Sequence, residues 1–194
     1  MTRAFVFPGQ GSQAVGMGQE LIATFPAARE TLEEIDDALG QNLSKLMAQG
    51  PADELQLTEN AQPALMALSM AVLRVLETEG GVDLSKICAF VAGHSLGEYS
   101  ALAAARTFGL ADTARLLKVR GQAMQKAVPV GQGGMAALLG ADMDVAQEIA
   151  DAAAQGEVCS TANDNAPGQI VLSGAMTAID RAIEIAAEKA LSVA

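Results

Sequence analysis

A serine flanked by glycines stands in the middle of the chain, in the pentapeptide Gly93-His94-Ser95-Leu96-Gly97. The apolar run 87–92 before it predicts a buried strand, and the Ala- and Leu-rich run 99–106 after it predicts a helix. A serine on such a strand-to-helix turn is a nucleophile elbow. Glycines leave room for substrate beside the hydroxyl, and the start of the helix presents unpaired N–H groups to an oxyanion. The pattern therefore predicts acyl chemistry at Ser95.

A structural alternative exists for the same serine. Ser95 and Glu98 have the Ser-x-x-Glu spacing of a capping box, in which the serine side chain accepts a hydrogen bond from the first turn of the helix. A cap and a nucleophile can coexist, so the sequence leaves both roles open.

An arginine in the predicted helix 113–126 is the second candidate. Arg120 shares one helix face with Leu116, Leu117 and Met124, and the opposite face carries Arg115, Lys118, Gln122 and Gln125. A guanidinium keeps its charge among apolar side chains and pairs best with a planar anion. A substrate carboxylate is one such partner; an internal salt bridge to Asp or Glu, or a tip that reaches solvent, are the alternatives.

The first predicted strand, residues 4–7, runs into a glycine-rich turn, residues 7–13. The spacing of Gly9, Gly11 and Ala14 fits a loose dinucleotide fingerprint, but no second strand ending in an acidic residue follows about 20 positions later. The turn is instead expected to meet the elbow at the carboxyl edge of the sheet. There the N–H of Gln10 would supply half of an oxyanion hole; a plain structural turn is the alternative.

The general base is missing from this pattern. His94 is the only histidine, and in a tight elbow its side chain should project away from Ser95. We expect it to pack or hydrogen-bond rather than to take the proton, although a serine nucleophile needs a base.

Composition excludes several classes of protein. The net charge of −11 in 194 residues argues against nucleic acid and anionic membranes as partners. Five basic residues between 106 and 126 form either a local basic patch or a solvated helix face. No apolar run could span a bilayer, and Cys88 and Cys159 form no metal or redox motif. We expect a cytoplasmic protein without metal or cofactor.

The order of the elements predicts an α/β fold with a mainly parallel sheet over residues 1–127. Helices are expected at 16–40 and 42–49, then a polar connection at 51–60 and a long buried helix opened by Pro63. After a flexible break at 131–134, residues 128–194 show the β-α-β-β-α order of a ferredoxin-like subdomain. Residues 191–194 look like the start of its closing strand, so that subdomain is expected to be incomplete.

Four motifs together resemble the malonyl-CoA:acyl carrier protein transacylase family. In chain order they are Phe7-Pro8-Gly9-Gln10-Gly11-Ser12-Gln13, Gly93-His94-Ser95-Leu96-Gly97-Glu98-Tyr99-Ser100-Ala101, Arg120-Gly121-x-x-Met124-Gln125 and Asn163-x-Asn165-x-Pro167-Gly168-Gln169. The resemblance implies an α/β-hydrolase-like core with an inserted ferredoxin-like subdomain.

The resemblance also implies a role for each motif. Ser95 would be the acylated nucleophile, the N–H groups of Gln10 and Leu96 the oxyanion hole, and Arg120 the partner of the malonyl carboxylate. Further substrate-binding candidates are Gln10, His94, Met124, Asn163 and Asn165. The catalytic histidine of the family would follow the closing strand of the small subdomain, beyond residue 194, so the chain looks truncated and is expected to be inactive alone.

The function implied is transfer of malonyl from malonyl-CoA to the phosphopantetheine thiol of acyl carrier protein in fatty acid biosynthesis, by a monomer that needs no cofactor. The alternatives are an acyltransferase for another acyl-CoA in polyketide synthesis, a serine thioesterase or esterase, and a fragment that only docks carrier protein.

Overall fold

The computed structural model describes residues 3–129 and 131–194, which form two compact units. The first unit reaches Gln125 and the second begins at Lys126. The helices of the first unit are α1 (Gln19–Thr24), α2 (Pro26–Leu39), α3 (Leu43–Gln49), α4 (Ala52–Gln56), α5 (Thr58–Thr78), α6 (Leu84–Ile87), α7 (Leu96–Ala104) and α8 (Leu110–Ala127).

The strands of the first unit are β1 (Ala4–Phe7) and β2 (Phe90–Gly93), which pair in parallel. Phe7 lies opposite Gly93, so both strands end at the same level. Helix α7 packs against both strands and against α5. The mixed α/β class with a parallel pair is therefore confirmed.

The strand before the elbow differs from its prediction in start and in burial. Helix α6 occupies the beginning of the run, because Asp83 caps it by accepting from the Ser85 N–H. Hydrogen bonds from Lys86 and Ser85 lower the pKa of Asp83 to about 2. The predicted strand is present but begins only at Phe90, which is 67% exposed, so its predicted start at 87 and its predicted burial were wrong.

Helix α5 is the central helix of the first unit and packs against α2, α3, α4 and α7. It begins at Thr58, so Pro63 lies inside the helix rather than at its opening. The predicted polar connection 51–60 contains α4, whose Leu55 is buried. The first half of α5 is buried on all sides, whereas Val72 and Leu76 are partly exposed.

The second unit contains β3 (Gly133–Leu139), α9 (Met143–Ala154), β4 (Cys159–Ala166), β5 (Gln169–Ala175), α10 (Met176–Glu188) and β6 (Ser192–Val193). Its strands pair antiparallel in the order β4-β5-β3-β6. Helices α9 and α10 supply alanine and isoleucine side chains to one core with Leu138 and Leu172. Gly133 and Gly134 belong to β3, so the predicted break does not include them.

Across the part of the chain that the structure describes, no helix is both long and apolar enough to cross a membrane.

Candidate active site

Ser95 occupies a strained turn between β2 and α7. Its backbone has φ 54° and ψ −113°, a conformation that a non-glycine residue adopts only when its surroundings impose it. The surroundings are two glycines: a Cβ on Gly97 would meet the carbonyls of Phe7 and Pro8, and one on Gly93 would overlap the Gly97 backbone. The close approach of α7 to the end of β1 therefore requires the glycines of the pentapeptide.

The Ser95 side chain does not cap α7. Its hydroxyl oxygen accepts instead a hydrogen bond of 3.0 Å from Nη2 of Arg120. The contact of Ser95 with the first turn of α7 is through its backbone carbonyl, which accepts a hydrogen bond from the N–H of Glu98 at 3.1 Å. The capping-box alternative is therefore wrong, and the exposed hydroxyl is available for chemistry.

Arg120 holds its half-buried guanidinium among neutral groups. Nη1 donates to Oε1 of Gln62 at 2.7 Å, and Cζ lies 5.8 Å from the centre of the Tyr99 ring, within cation–π range. No carboxylate lies within ion-pair distance of it anywhere in residues 3–129 and 131–194. The internal salt bridge considered for Arg120 is therefore wrong, and its charge is left for an anion from outside.

The faces of α8 are rotated relative to their prediction. The buried residues are Leu110, Thr113, Ala114, Leu117 and Gly121. Leu116 and Met124 are 43% and 47% exposed, so Arg120 lies at the border of the buried face and not among a full apolar stripe. Because Gly121 has no side chain, α8 can approach the backbone of Thr58 and Glu59 at the start of α5. A Cβ at position 121 would clash with that backbone.

The basic residues from 106 to 126 do not make one uncompensated patch. Arg106 pairs with Glu77 at 3.1 Å and Arg115 with Asp112 at 3.0 Å. Lys118, predicted on the solvated face, is partly buried, hydrogen-bonds Gln41 and Asn60, and lies 3.6 Å from Glu59. Arg120 is thus the half-buried cation of this group that lacks a carboxylate.

The glycine-rich turn meets the elbow as predicted. The N–H of His94 donates to the Phe7 carbonyl at 3.2 Å, and Gly9 lies so close to the His94 ring that a Cβ would reach 2.5 Å from Nδ1. Gln10 follows Gly9 directly, and Leu96 opens α7 beside the same turn. Within the described residues, the N–H groups of Gln10 and Leu96 make no hydrogen bond, which is compatible with the oxyanion role predicted for them.

The far end of the turn is tied to the helices. The Gly11 N–H donates to Oε1 of Gln13 at 2.9 Å, and Gln13 Nε2 donates to Oε1 of Gln56 in α4 at 2.5 Å. Gln13 is buried, so these two bonds hold the turn in place.

Gln62 is the site residue that the sequence analysis missed. It is 1% exposed, accepts from Arg120, and its Nε2 contacts Sδ of Met124 at 3.3 Å. The available signal was a long polar side chain just before Pro63, inside the apolar stretch of α5. A buried amide needs hydrogen-bond partners, and such a residue in an apolar helix points to a polar site.

The two asparagines of the fourth motif belong to the second unit. Asn163 is half-buried on β4 opposite Val171, and Asn165 lies at a register irregularity between Asp164 and Ala166. Their part in binding substrate stays a prediction. No cluster of three or more His, Cys, Asp or Glu side chains that could hold a metal occurs within the described ranges.

A serine on a strand-to-helix elbow with an arginine on its hydroxyl is an arrangement typical of acyl-transferring enzymes. The chain belongs to the acyl transferase domain family, whose model matches residues 4–193.

Relatives within this family carry more specific names. The chain is 49% identical to the malonyl CoA-acyl carrier protein transacylase of Salmonella typhimurium over 179 residues, which are 92% of this chain and 57% of that protein. The Bacillus subtilis protein of the same name is 46% identical over 186 residues, 95% of this chain and 57% of that protein. These names confirm the resemblance noted in the sequence.

Solved structures agree. An acyl-carrier-protein-S-malonyltransferase from Bartonella henselae superposes with a TM-score of 0.94 at 57% identity, covering 99% of this chain and 61% of that one. A malonyl-transacylase solved in complex with a type II polyketide acyl carrier protein gives 0.91 at 41% identity, covering 99% and 61%. The chain thus spans about three fifths of the length of these relatives.

Proposed function

We propose that this chain carries the nucleophile and the acid-recognition residue of an acyltransferase that moves malonyl from malonyl-CoA to the phosphopantetheine thiol of acyl carrier protein. The observation that carries the proposal is the 3.0 Å distance between Arg120 Nη2 and Ser95 Oγ. In malonyl-CoA one methylene separates the carboxylate from the thioester carbonyl. A cation beside the nucleophile suits an acyl group with so short a separation.

The first half-reaction forms an acyl-enzyme. Ser95 Oγ bonds to the thioester carbon while its proton passes to a base, and the C–S bond then breaks to release CoA as the thiol. In this proposal the N–H groups of Gln10 and Leu96 stabilise the tetrahedral oxyanion, and Arg120 holds the carboxylate. We propose, from the resemblance, that the base is a histidine outside residues 1–194.

The second half-reaction reverses the first with another thiol. The phosphopantetheine thiol attacks the malonyl-serine ester, the C–O bond breaks and Ser95 regains its proton. The names of the relatives support carrier protein as the acceptor. The contribution of Gln10, His94, Met124, Asn163 and Asn165 to substrate binding belongs to this proposal too.

The remaining expectations from the sequence join the proposal. They are an α/β-hydrolase-like domain at 1–127, a ferredoxin-like subdomain at 128–194, action as a monomer in the cytoplasm and no cofactor. The β-α-β-β-α-β order and the sheet order β4-β5-β3-β6 support the ferredoxin-like assignment.

The test is acylation of the full-length protein by malonyl-CoA, followed by intact-mass measurement. The expected result is one malonyl adduct, absent in Ser95→Ala and discharged faster by carrier protein than by water. Discharge at the same rate in water alone would identify a thioesterase. A protein that binds carrier protein but forms no adduct would be a docking module.

Polyketide synthesis is a second candidate for the pathway in which the proposed malonyl transfer takes place. The similarity to a transacylase in complex with a polyketide carrier protein favours a comparison of carrier proteins from both pathways. The carrier with the higher kcat/KM for malonyl transfer would identify fatty acid or polyketide synthesis.

A further inference from the structure

The partner that orients Arg120 is a buried neutral amide. Gln62 accepts from Nη1 at 2.7 Å while Nη2 remains directed at Ser95. Gln62 is 1% exposed on α5, and its own Nε2 contacts Met124 Sδ, so the amide has little freedom to turn. Gln62 therefore determines which nitrogen of Arg120 faces the nucleophile.

The absence of a carboxylate beside Arg120 sets it apart from the other partly buried cations in the described part of the chain. Lys118 and Arg181, both with side chains less than one third exposed, are paired with Glu59 and Glu157. The chain holds 23 acidic residues against 12 basic ones, so carboxylates are abundant. Among the cations outside ion pairs in these ranges, Arg120 alone is half-buried; the others are exposed.

The charge of a half-buried cation decides what it can attract. A carboxylate at position 62 would form an ion pair with Arg120 and neutralise it before substrate arrives. An amide satisfies the same N–H group without cancelling the charge. With Gln62 as its partner, the guanidinium of Arg120 keeps a fixed orientation and a positive charge that no carboxylate neutralises.

We propose that Gln62 is a positioning residue that determines specificity: it holds Arg120 beside Ser95 as a neutral acceptor, so that the guanidinium selects acyl groups with a terminal carboxylate. This inference rests on the proposed function, because it assumes that Arg120 binds the acyl carboxylate. It adds the reason why Arg120 is held beside Ser95 and yet keeps its charge for the acyl carboxylate.

The experiment compares malonyl-CoA with acetyl-CoA as acyl donors for the full-length protein and its Gln62→Glu and Gln62→Met variants. The readouts are kcat/KM for each donor and the mass adduct on Ser95. Gln62→Glu is expected to lower the ratio of kcat/KM for malonyl-CoA to that for acetyl-CoA by about tenfold or more. The introduced carboxylate competes with the malonyl carboxylate for Arg120. Gln62→Met keeps the charge and loses only the orienting bond, so its ratio should fall less.

A matched control lies one half-turn away on the same helix. Asn60 is buried, and it accepts from Lys118 rather than from Arg120. Asn60→Asp adds the same charge to α5 beside a different cation, so the malonyl/acetyl ratio should stay as in the wild type. Thermal unfolding of each variant separates loss of fold from loss of selectivity.

Three results would overturn the inference: a ratio in Gln62→Glu within twofold of the wild type, equal losses of kcat/KM for both donors, or an equal fall of the ratio in Gln62→Met. If Gln62→Glu fails to fold, an unchanged ratio in Gln62→Met has the same meaning. A wild-type protein without a malonyl adduct would reject the proposed function itself. A wild-type adduct with an unaffected ratio in the variants would reject only the role of Gln62.

Discussion

At the scale of single residues, the candidate site depends on one uncompensated charge. Arg120 meets a hydroxyl, an amide and an aromatic ring, and within the described ranges no carboxylate approaches it. An uncharged acyl group in this site would leave that half-buried guanidinium without an anion, which costs free energy. Under the proposed function, discrimination would therefore come from the penalty on uncharged acyl groups as well as from attraction of the carboxylate.

This argument predicts the effect of Arg120→Gln. The preference for malonyl-CoA over acetyl-CoA should fall by roughly two powers of ten, since a hydrogen-bonded carboxylate–guanidinium pair sheltered from solvent contributes about 3 kcal/mol. The measurement is kcat/KM for each donor in the full-length protein. Arg115→Gln, which removes an exposed arginine of the same helix, should leave the preference intact. An unchanged preference in Arg120→Gln would mean that this arginine has only a structural role.

The sequence allowed two of the three residues of the candidate site, Ser95 and Arg120, to be predicted, but not Gln62. Ser95 could be found because the glycines on both sides and the strand and helix around it are local features. Arg120 could be found from helix periodicity, although the periodicity misplaced Leu116 and Met124. Gln62 could not be assigned, because its partner lies 58 positions away and only the packing of α5 against α8 brings the two together.

At the scale of secondary-structure elements, the conformation of the elbow depends on the contact between the start of α7 and the end of β1. That contact leaves no space for a side chain at Gly97, where a Cβ would meet the carbonyls of Phe7 and Pro8. The strained backbone of Ser95 is held by the same contact.

Gly97→Ala is therefore expected to lower the free energy of unfolding by about 1–3 kcal/mol through overpacking. It should also reduce acylation of Ser95, because α7 must move away from the turn that carries Gln10. Urea unfolding and the malonyl-adduct assay measure the two effects. Gly109→Ala is the control: its Cβ would meet nothing nearer than Asp112 Oδ2 at 3.8 Å, so both properties should stay close to wild type. A Gly97→Ala protein with normal stability would contradict the close contact.

A second prediction at this scale concerns pH and the second unit. Hydrogen bonds from Arg181 and Thr177 lower the pKa of Glu157, which precedes β4. A lowered folded-state pKa stabilises the fold above the ordinary glutamate value of 4.5, and this stabilisation is lost as pH falls through the folded-state pKa.

Glu157→Gln removes this pH-dependent component. The difference in urea midpoint between wild type and Glu157→Gln should therefore be largest near neutral pH and shrink as pH falls below 4.5. Glu148→Gln, which alters an exposed ion pair of the same unit, serves as the control for a simple change of net charge. A difference that stays constant with pH would show that the interaction does not depend on ionised Glu157.

Element types were more predictable than element limits. Periodicity identified the helices around residues 16–40, 42–49 and 144–154, because each presents one apolar face to a core. It failed at Pro63, since a proline that suits the first turn of a helix was tolerated one turn further in. Periodicity also failed to predict helix α4 within 51–60, because this helix has one turn and only one buried residue, Leu55.

At the scale of the whole molecule, the chain forms two units and contains one histidine. Loss of the base in a serine–histidine pair reduces turnover by several orders of magnitude. We therefore expect a folded polypeptide of residues 1–194 to acylate Ser95 at least about a thousandfold more slowly than the Salmonella typhimurium transacylase measured beside it. Ser95→Ala gives the background, and circular dichroism verifies folding. Comparable rates in the two proteins would identify a base within these 194 residues.

The parallel register of β1 and β2 has a consequence for how the molecule tolerates changes in length. Phe7 lies opposite Gly93, so the turn that carries Gln10 and the turn that carries Ser95, the proposed oxyanion amide and nucleophile, leave the two strands at the same level. Each residue of a strand spans about 3.3 Å, which exceeds the length of a hydrogen bond. A single-residue insertion or deletion inside either strand would thus move one half of the site out of reach of the other while keeping every catalytic side chain. Length variation among relatives should accordingly fall in the loops beyond these strands and spare the strands themselves.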